Sequence, residues 1–369
     1  MSPTPEAILA QLQATGSAYS EKKPGAREQL LNLAHSLISS LELPSESIQR
    51  IGWAGPARAA HCRMAVDLGI FESLKDSGEV DISGKDLAAK AGADETLIAR
   101  TLKHLAAMNV VAETGADKYV GTPLSNALTE PKYRDGIIYT YDVAGPSFRG
   151  LPEYLKSIKA SILRMARSKP ALLREIQQLH VGVPRRETFV ERLVQGFDAD
   201  TGGNDVLLVD VGGGLGHDLL ELKEKHPSLP GKLILQDRPE VISAVSSEGV
   251  FEATAHDFFA PQPVKEARAY YLHSVLHDWG DDDCVRILEQ LRPAIRSGYS
   301  KLLVNEIIVP DRNPTWPVTS MDQIVFVLGA MGERTQARWE AILKRAGFKV
   351  VHVYNYEMGS ESLIEAELA

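Results

Sequence analysis

The chain has 369 residues, 44% of them hydrophobic, and a formal net charge of −9. That length suffices for about two domains, and the acidic balance argues against nucleic acid or an anionic membrane surface as the main partner. Two cysteines, Cys62 and Cys284, lie too far apart to signal a disulfide framework or a metal-type pair, so a reducing compartment is expected.

No apolar run reaches membrane-spanning length, and the early charges Glu6, Glu21, Lys22 and Lys23 do not fit a secretory leader, which makes the cytoplasm the expected location. Residues up to about Pro44 are polar and alanine-rich at first. Leu30, Leu33, Leu37 and Leu41 then recur at helical spacing. That stripe has no partner within its own segment and is expected to pack on the body or on a second subunit. From Ile51 to about Leu74, the row Ala57, Ala60, Met64, Leu68 and Phe71 reads as a helix. Lys85–Ala91, a turn at Gly92-Ala93-Asp94, a helix from Glu95 to about Met108 and short strands at Val110–Glu113 and Lys118–Val120 make a winged-helix arrangement. Its basic residues are offset by Asp81, Asp86, Asp94, Glu95, Glu113 and Asp117, so no face is suited to phosphates. A dimerisation module is the better reading than a DNA-binding regulator.

Gly136–Phe197 reads as mostly helical, with Pro146, Pro152, Pro170 and Pro184 as punctuation, and Asp198–Asp205 is a polar linker. Beyond it, strands and helices alternate to the end, and Phe348–Tyr354 with Ser362–Glu367 form an antiparallel edge. The expected organisation is a helical, winged-helix domain over 1–125, a helical connector and pocket wall over 126–200, and a doubly wound α/β domain over 201–369.

The most informative stretch opens that last domain. Val206–Val209 is a short buried strand closed by Asp210, followed by Gly212-Gly213-Gly214-Leu215-Gly216, a helix from His217-Asp218, and a second strand, Leu233–Leu235, ending in Gln236-Asp237. A dinucleotide fingerprint would place its last glycine where His217 stands, and no P-loop lysine follows. The G-x-G-x-G spacing is that of S-adenosylmethionine binders. Gly212 and Gly214 would let the backbone pass close to the ligand, Asp237 would take the ribose hydroxyls, and Asp210 would face an amino group.

Asp210, Asp237, Asp257, His277 and Glu306 all fall at or just beyond carboxyl ends of predicted strands, the side where doubly wound domains bind ligands. His273 and His277 stand four apart, the spacing that aligns two metal ligands on a helix. Ser274 occupies the place of the zincin acid, however, and no third ligand is evident, so no metal is expected. His277 reads better as a general base toward a phenol, with Glu306 or Glu333 accepting its other ring proton.

Taken in order, VDVGGGLGHD, LQDRPEVI, HDFF, YLHSVLHDWGDDDC, NEIIVPD and GERTQARWEAILKRAGF resemble the plant- and fungal-type S-adenosylmethionine-dependent O-methyltransferases, the caffeate and sterigmatocystin O-methyltransferase type, which methylate phenols and polyketides. The resemblance covers most of the chain. It implies a homodimer acting in secondary metabolism, with His277 as proton acceptor flanked by Glu306 and Glu333. It implies cofactor contacts at Asp237 and Arg238 of LQDR, Asp257 and Phe258 near the adenine, and His273, where many relatives carry a lysine or arginine. Met321, Ile324, Val325 and Leu328, one side of a helix over Thr319–Leu328, would press on a flat substrate. One segment departs from the pattern: between Leu155 and Pro184, relatives carry a longer, aromatic-rich roof. That shortening raises, as the alternative, a pericyclic or dehydrating enzyme on a methyltransferase fold; a non-catalytic winged-helix regulator ranks below both.

Overall fold

Leucine, valine and isoleucine in short runs after residue 205, set against helical periodicity before residue 155, divide the chain physically as well as in composition. The computed structural model describes residues 3–157, 159, 190, 193–197, 205–246, 249–312, 314–329, 332–355 and 361–369. It separates into two compact units, Met1–Tyr154 and Leu155–Ala369, so the expected connector over 126–200 falls on both sides of that boundary. The shortened roof segment and the 198–205 linker lie almost entirely outside the described residues.

In the first unit, helix Pro5–Ser20 starts where Thr4 accepts the Ala7 N–H and Pro5 opens the first turn, the usual capping chemistry. It packs on helix Ala26–Leu41. The segment therefore holds a second helix that the leucine periodicity did not announce, although Thr4-Pro5 carries its capping signal; of the stripe, Leu30, Leu33 and Leu37 are half-buried while Leu41 stays exposed. The expected helix from Ile51 to Leu74 is also two helices, Gly55–Asp67 and Ile70–Ser77, broken at Gly69, which adopts a left-handed φ of 64°. Pro152 does not end its segment: it sits inside helix Gly145–Ser157. The winged helix forms as read. Helices Gly84–Ala91 and Glu95–Ala107 precede a small sheet of β1 (Ile82–Ser83), β2 (Val111–Gly115) and β3 (Lys118–Gly121), in the order β1-β3-β2. Ile70, Phe71, Leu87, Ile98, Leu102 and Tyr119 share its core.

The second unit is built on a seven-stranded sheet: β4 (Val206–Val211), β5 (Lys232–Asp237), β6 (Glu252–Ala255), β7 (Ala269–His273), β8 (Lys301–Glu306), β9 (Phe348–Asn355) and β10 (Ser362–Leu368). Their order is β6-β5-β4-β7-β8-β10-β9. The first five strands are parallel, and β10 runs antiparallel between β8 and β9. Alternate strand residues feed separate cores. Val209, Tyr270, Leu272 and Val304 pack with Ile287, Leu288, Trp339 and Leu343, whereas Leu207, Tyr271 and Leu303 pack with Leu219 and Leu222. Both faces are therefore covered, as a parallel sheet requires. The chain leaves β4 toward β5 and β6, then returns on its other flank through β7, so the crevice opens at the carboxyl ends of β4 and β7. No described helix is long and apolar enough to cross a membrane.

Candidate active site

The glycine turn after β4 supplies the first wall. Gly212, Gly214 and Gly216 all have left-handed φ angles, of 79°, 60° and 80°. A Cβ on Gly213 would meet Asp210 Oδ2 at 2.2 Å, and one on Gly216 would meet the Phe251 ring at 2.4 Å, so those two glycines are needed by the protein itself. Gly214 differs: nothing lies within 4 Å of its added Cβ, although the residue itself is buried. Its N–H donates to Asp237 Oδ2 at 2.9 Å, while Asp237 Oδ1 accepts the Arg238 N–H at 2.7 Å. Asp237 thus braces the turn, and each oxygen keeps a lone pair for a further donor.

Asp210 is 1% exposed, and neither carboxyl oxygen has a hydrogen-bond partner among the described residues. Burial, with the carboxylates of Asp218 and Asp237 adding and His273 opposing, pushes its carboxyl well above the usual range. An orphaned acid beside the glycine bend and a braced aspartate is a fitting receptor for a cationic nucleoside. Phe258 lies close to Gly212 and meets the Trp279 ring edge-on at 5.7 Å. Asp257 is exposed and accepts the Phe259 N–H at 2.9 Å; the Arg238 side chain is exposed as well.

His273 ends β7 and lies in a different environment from the one its spacing suggested. Its Nδ1 contacts Asp218 and its Nε2 contacts Glu361 at 2.8 Å, with both ring nitrogens engaged by acids. Burial works against its charge, yet these hydrogen bonds hold the imidazole well above its ordinary pKa. Glu361 also accepts from Ser274 Oγ at 2.9 Å and Asn305 Nδ2 at 3.0 Å. His273, expected as a cofactor contact, has both ring nitrogens on carboxylates. Neither Asp218 nor Glu361 was singled out in the sequence, although Asp218 follows the glycine turn directly.

His277 sits in a single 3₁₀ turn, Leu276–Asp278, four residues beyond β7, so the two histidines never share a helix face. Its Nδ1 is 3.1 Å from Glu333 Oε1 and 3.4 Å from Glu306 Oε2. Glu306, at the end of β8 and 1% exposed, turns its other oxygen to the backbone N–H groups of Val275, Leu276 and His277 at 3.2, 2.8 and 3.3 Å. Burial opposes protonation of His277, but Glu306, Glu333 and Asp278 together raise it to about 10. Burial pushes Glu306 up to about 7, with His277 opposing and Glu333 adding.

The third ligand missing from the sequence pattern does exist in space. Ligand atoms of His277, Glu306 and Glu333 lie within 4.8 Å of one another, close enough to hold a cation. Nδ1 is the atom both acids approach, and a nitrogen donating its proton to a carboxylate has no lone pair for a metal. The geometry is that of an acid–imidazole pair.

Helix Trp316–Gly329 starts before the expected Thr319. Of its four proposed wall residues, Val325 and Leu328 are 4% and 3% exposed and packed into the protein, whereas Met321 and Ile324 remain half-buried and accessible. Asp322 on the same helix accepts the Glu333 N–H at 2.9 Å, a link with no signature in sequence.

Comparison with known proteins accords with this geometry. Residues 189–349 match the O-methyltransferase domain model, and residues 59–131 match the O-methyltransferase dimerisation domain model. The chain is similar to O-methyltransferase mpaG of Penicillium brevicompactum, 41% identical with 99% of each chain covered. That alignment spans 397 positions, more than the 369 residues present here, so the relative carries positions without a counterpart in this chain. Demethylsterigmatocystin 6-O-methyltransferase of Aspergillus flavus is 29% identical over 85% of this chain and 86% of its own length. Among solved structures, LepI in complex with SAM matches with a TM-score of 0.83 at 24% identity, covering 99% of both chains, a likeness of fold. A braced glycine turn, an acid-paired histidine and full-length identity of this degree place the chain in the O-methyltransferase family.

Proposed function

We propose that the protein transfers a methyl group from S-adenosylmethionine to a hydroxyl of a phenolic or polyketide-type small molecule in secondary metabolism, with His277 as general base. The observation that carries the reading is the pairing of His277 Nδ1 with Glu333 at 3.1 Å, beside a crevice whose other wall is the glycine turn. Asp237, Gly212 and Gly214 would hold the nucleoside, with Phe258, Asp257 and Arg238 at its rim and Asp210 facing its amino group. When bound, this cofactor supplies a methyl group already activated by its sulfonium.

The protein's work is then positional and electrostatic. Glu333 and Glu306 hold Nδ1–H, and Nε2, with Asp278 Oδ1 3.5 Å away, is the nitrogen that would take the hydroxyl proton. His277, held at about 10, is protonated at neutral pH in the ligand-free chain. It gives up that proton more readily once a positive charge is bound beside it. Met321 and Ile324 would contact the substrate ring, with Val325 and Leu328 supporting them from within. The dimerisation-domain match supports a homodimer, and a cytoplasmic location fits the absence of a spanning helix among the described residues.

Incubation with methyl-labelled S-adenosylmethionine and a panel of phenols tests this directly. Labelled product is expected with the wild type and lost in His277→Ala, while calorimetry still detects cofactor uptake by the variant. Uptake without transfer to any acceptor, accompanied by rearrangement of a polyene or quinone methide, would replace methyl transfer with pericyclic chemistry.

A further inference from the structure

We propose that Arg334 is a positioning residue of the reaction: its guanidinium grips the turn that carries His277, while its chain neighbour supplies the carboxylate which that turn must meet. The inference rests on His277 acting as the base.

The turn has few bonds of its own. Asp278 N–H reaches Val275 O at 3.3 Å, and Trp279 N–H reaches Leu276 O at 3.1 Å. Its placement depends on outside partners, and these come from two sides. Glu306 collects three N–H groups, as described above. From the carbonyl side, Arg334 Nη1 donates to Leu276 O at 3.1 Å and Nη2 donates to Trp279 O. Nε donates to Asp281 Oδ1 at 2.9 Å, at the start of the next helix, and the guanidinium lies over the Trp339 ring at 4.9 Å. The side chain is 4% exposed.

Arg334 is itself fixed. A parallel bridge joins it to Ile308, and Val309 N–H donates to its carbonyl at 2.9 Å, two to three residues past Glu306. Asp322 holds the Glu333 N–H one residue earlier. The same short segment therefore presents an acid to the imidazole and a planar fork of donors to the imidazole's own backbone. Movement of one relative to the other is limited by a single peptide unit. A lysine carries comparable charge but cannot reach both carbonyls and Asp281 in one plane.

The test uses Arg334→Lys and Arg334→Gln in the full-length chain. The first readout is the imidazole titration of His277 by NMR in ligand-free protein, assigned by comparison with His277→Gln. The charged groups facing that ring are Glu306 from β8, Glu333 ahead of helix Gln336–Arg345 and Asp278 from its own turn, whereas Arg334 meets the backbone carbonyls of the turn. Loosening Glu333 is expected to lower the His277 midpoint from about 10 in both variants. The second readout is kinetic: kcat should fall at least about tenfold, with cofactor Kd and substrate KM changed by less than about threefold. Should Arg334→Gln fail to fold, Arg334→Lys, which keeps a cation against Asp281, carries the test alone. A lowered melting temperature with His277 titration and kcat as in the wild type would make Arg334 structural only and overturn the proposal. A displaced titration with kcat intact would also overturn Arg334 as a positioning residue of the reaction, and would count against His277 as the base.

Discussion

Asp237→Asn probes the glycine cradle at its most connected point. The carboxylate, 5% exposed, accepts Gly214 N–H at 2.9 Å on one oxygen and Arg238 N–H at 2.7 Å on the other. An amide of the same size can serve only one of these donors and turns its NH₂ toward the second. One charge-assisted bond becomes a neutral one, and the other becomes a donor facing a donor. With charged hydrogen bonds contributing about 1.5–3 kcal/mol, neutral ones about 1, and an unpaired buried donor costing about 1–3, the folded state should lose roughly 2–4 kcal/mol. In a chain of this size that lowers Tm by on the order of 5–10 °C. The nucleoside loses a charged acceptor and meets a looser turn, so its Kd should rise about 10- to 100-fold. Calorimetry with S-adenosylmethionine and S-adenosylhomocysteine, alongside thermal melts, measures both effects. A folded variant that binds either nucleoside within about threefold of the wild type would remove Asp237 from the ligand's surroundings and refute the cradle.

Two further outcomes concern the acid–imidazole group. His277 is raised to about 10, so its contribution to stability is complete below the ordinary imidazole value of about 6.5 and is lost as pH rises through 10. Glu306, pushed up to about 7 from 4.5, likewise contributes most at low pH and loses that contribution as pH climbs through 7. The ligand-free chain should accordingly melt at progressively lower temperature from pH 5 to pH 10, and Glu306→Gln should flatten the lower half of that decline. A melting temperature that rises across the interval contradicts the assigned partners. Since Nδ1 is committed to a carboxylate, EDTA or 1,10-phenanthroline should leave methyl transfer unchanged; inactivation that zinc or magnesium reverses would instead make the cluster a cation site.

Much of the candidate site was legible because its residues sit in short motifs at strand ends. A β-strand delivers whatever follows it to the crevice, so Asp210, Asp237, His277 and Glu306 could be placed from the alternation of apolar runs and turns. The residues that escaped were those whose partners are remote. Glu361 meets His273 across 88 positions, and Arg334 meets Leu276 across 58. No local pattern marks such pairs. Helix Pro5–Ser20 was missed for another reason: its apolar positions are sparse, and only its cap signals it.

By itself, then, the order of residues determined the alternating α/β plan, the winged-helix unit and the glycine bend, since each follows from periodicity or from backbone angles that a few residue types adopt. Tertiary structure alone decided which acids His273 meets, that Val325 and Leu328 face inward while Met321 and Ile324 stay accessible, and that an arginine holds the turn carrying His277. Side-chain partners across a sheet depend on strand order and register, and those emerge only when all seven strands pack together.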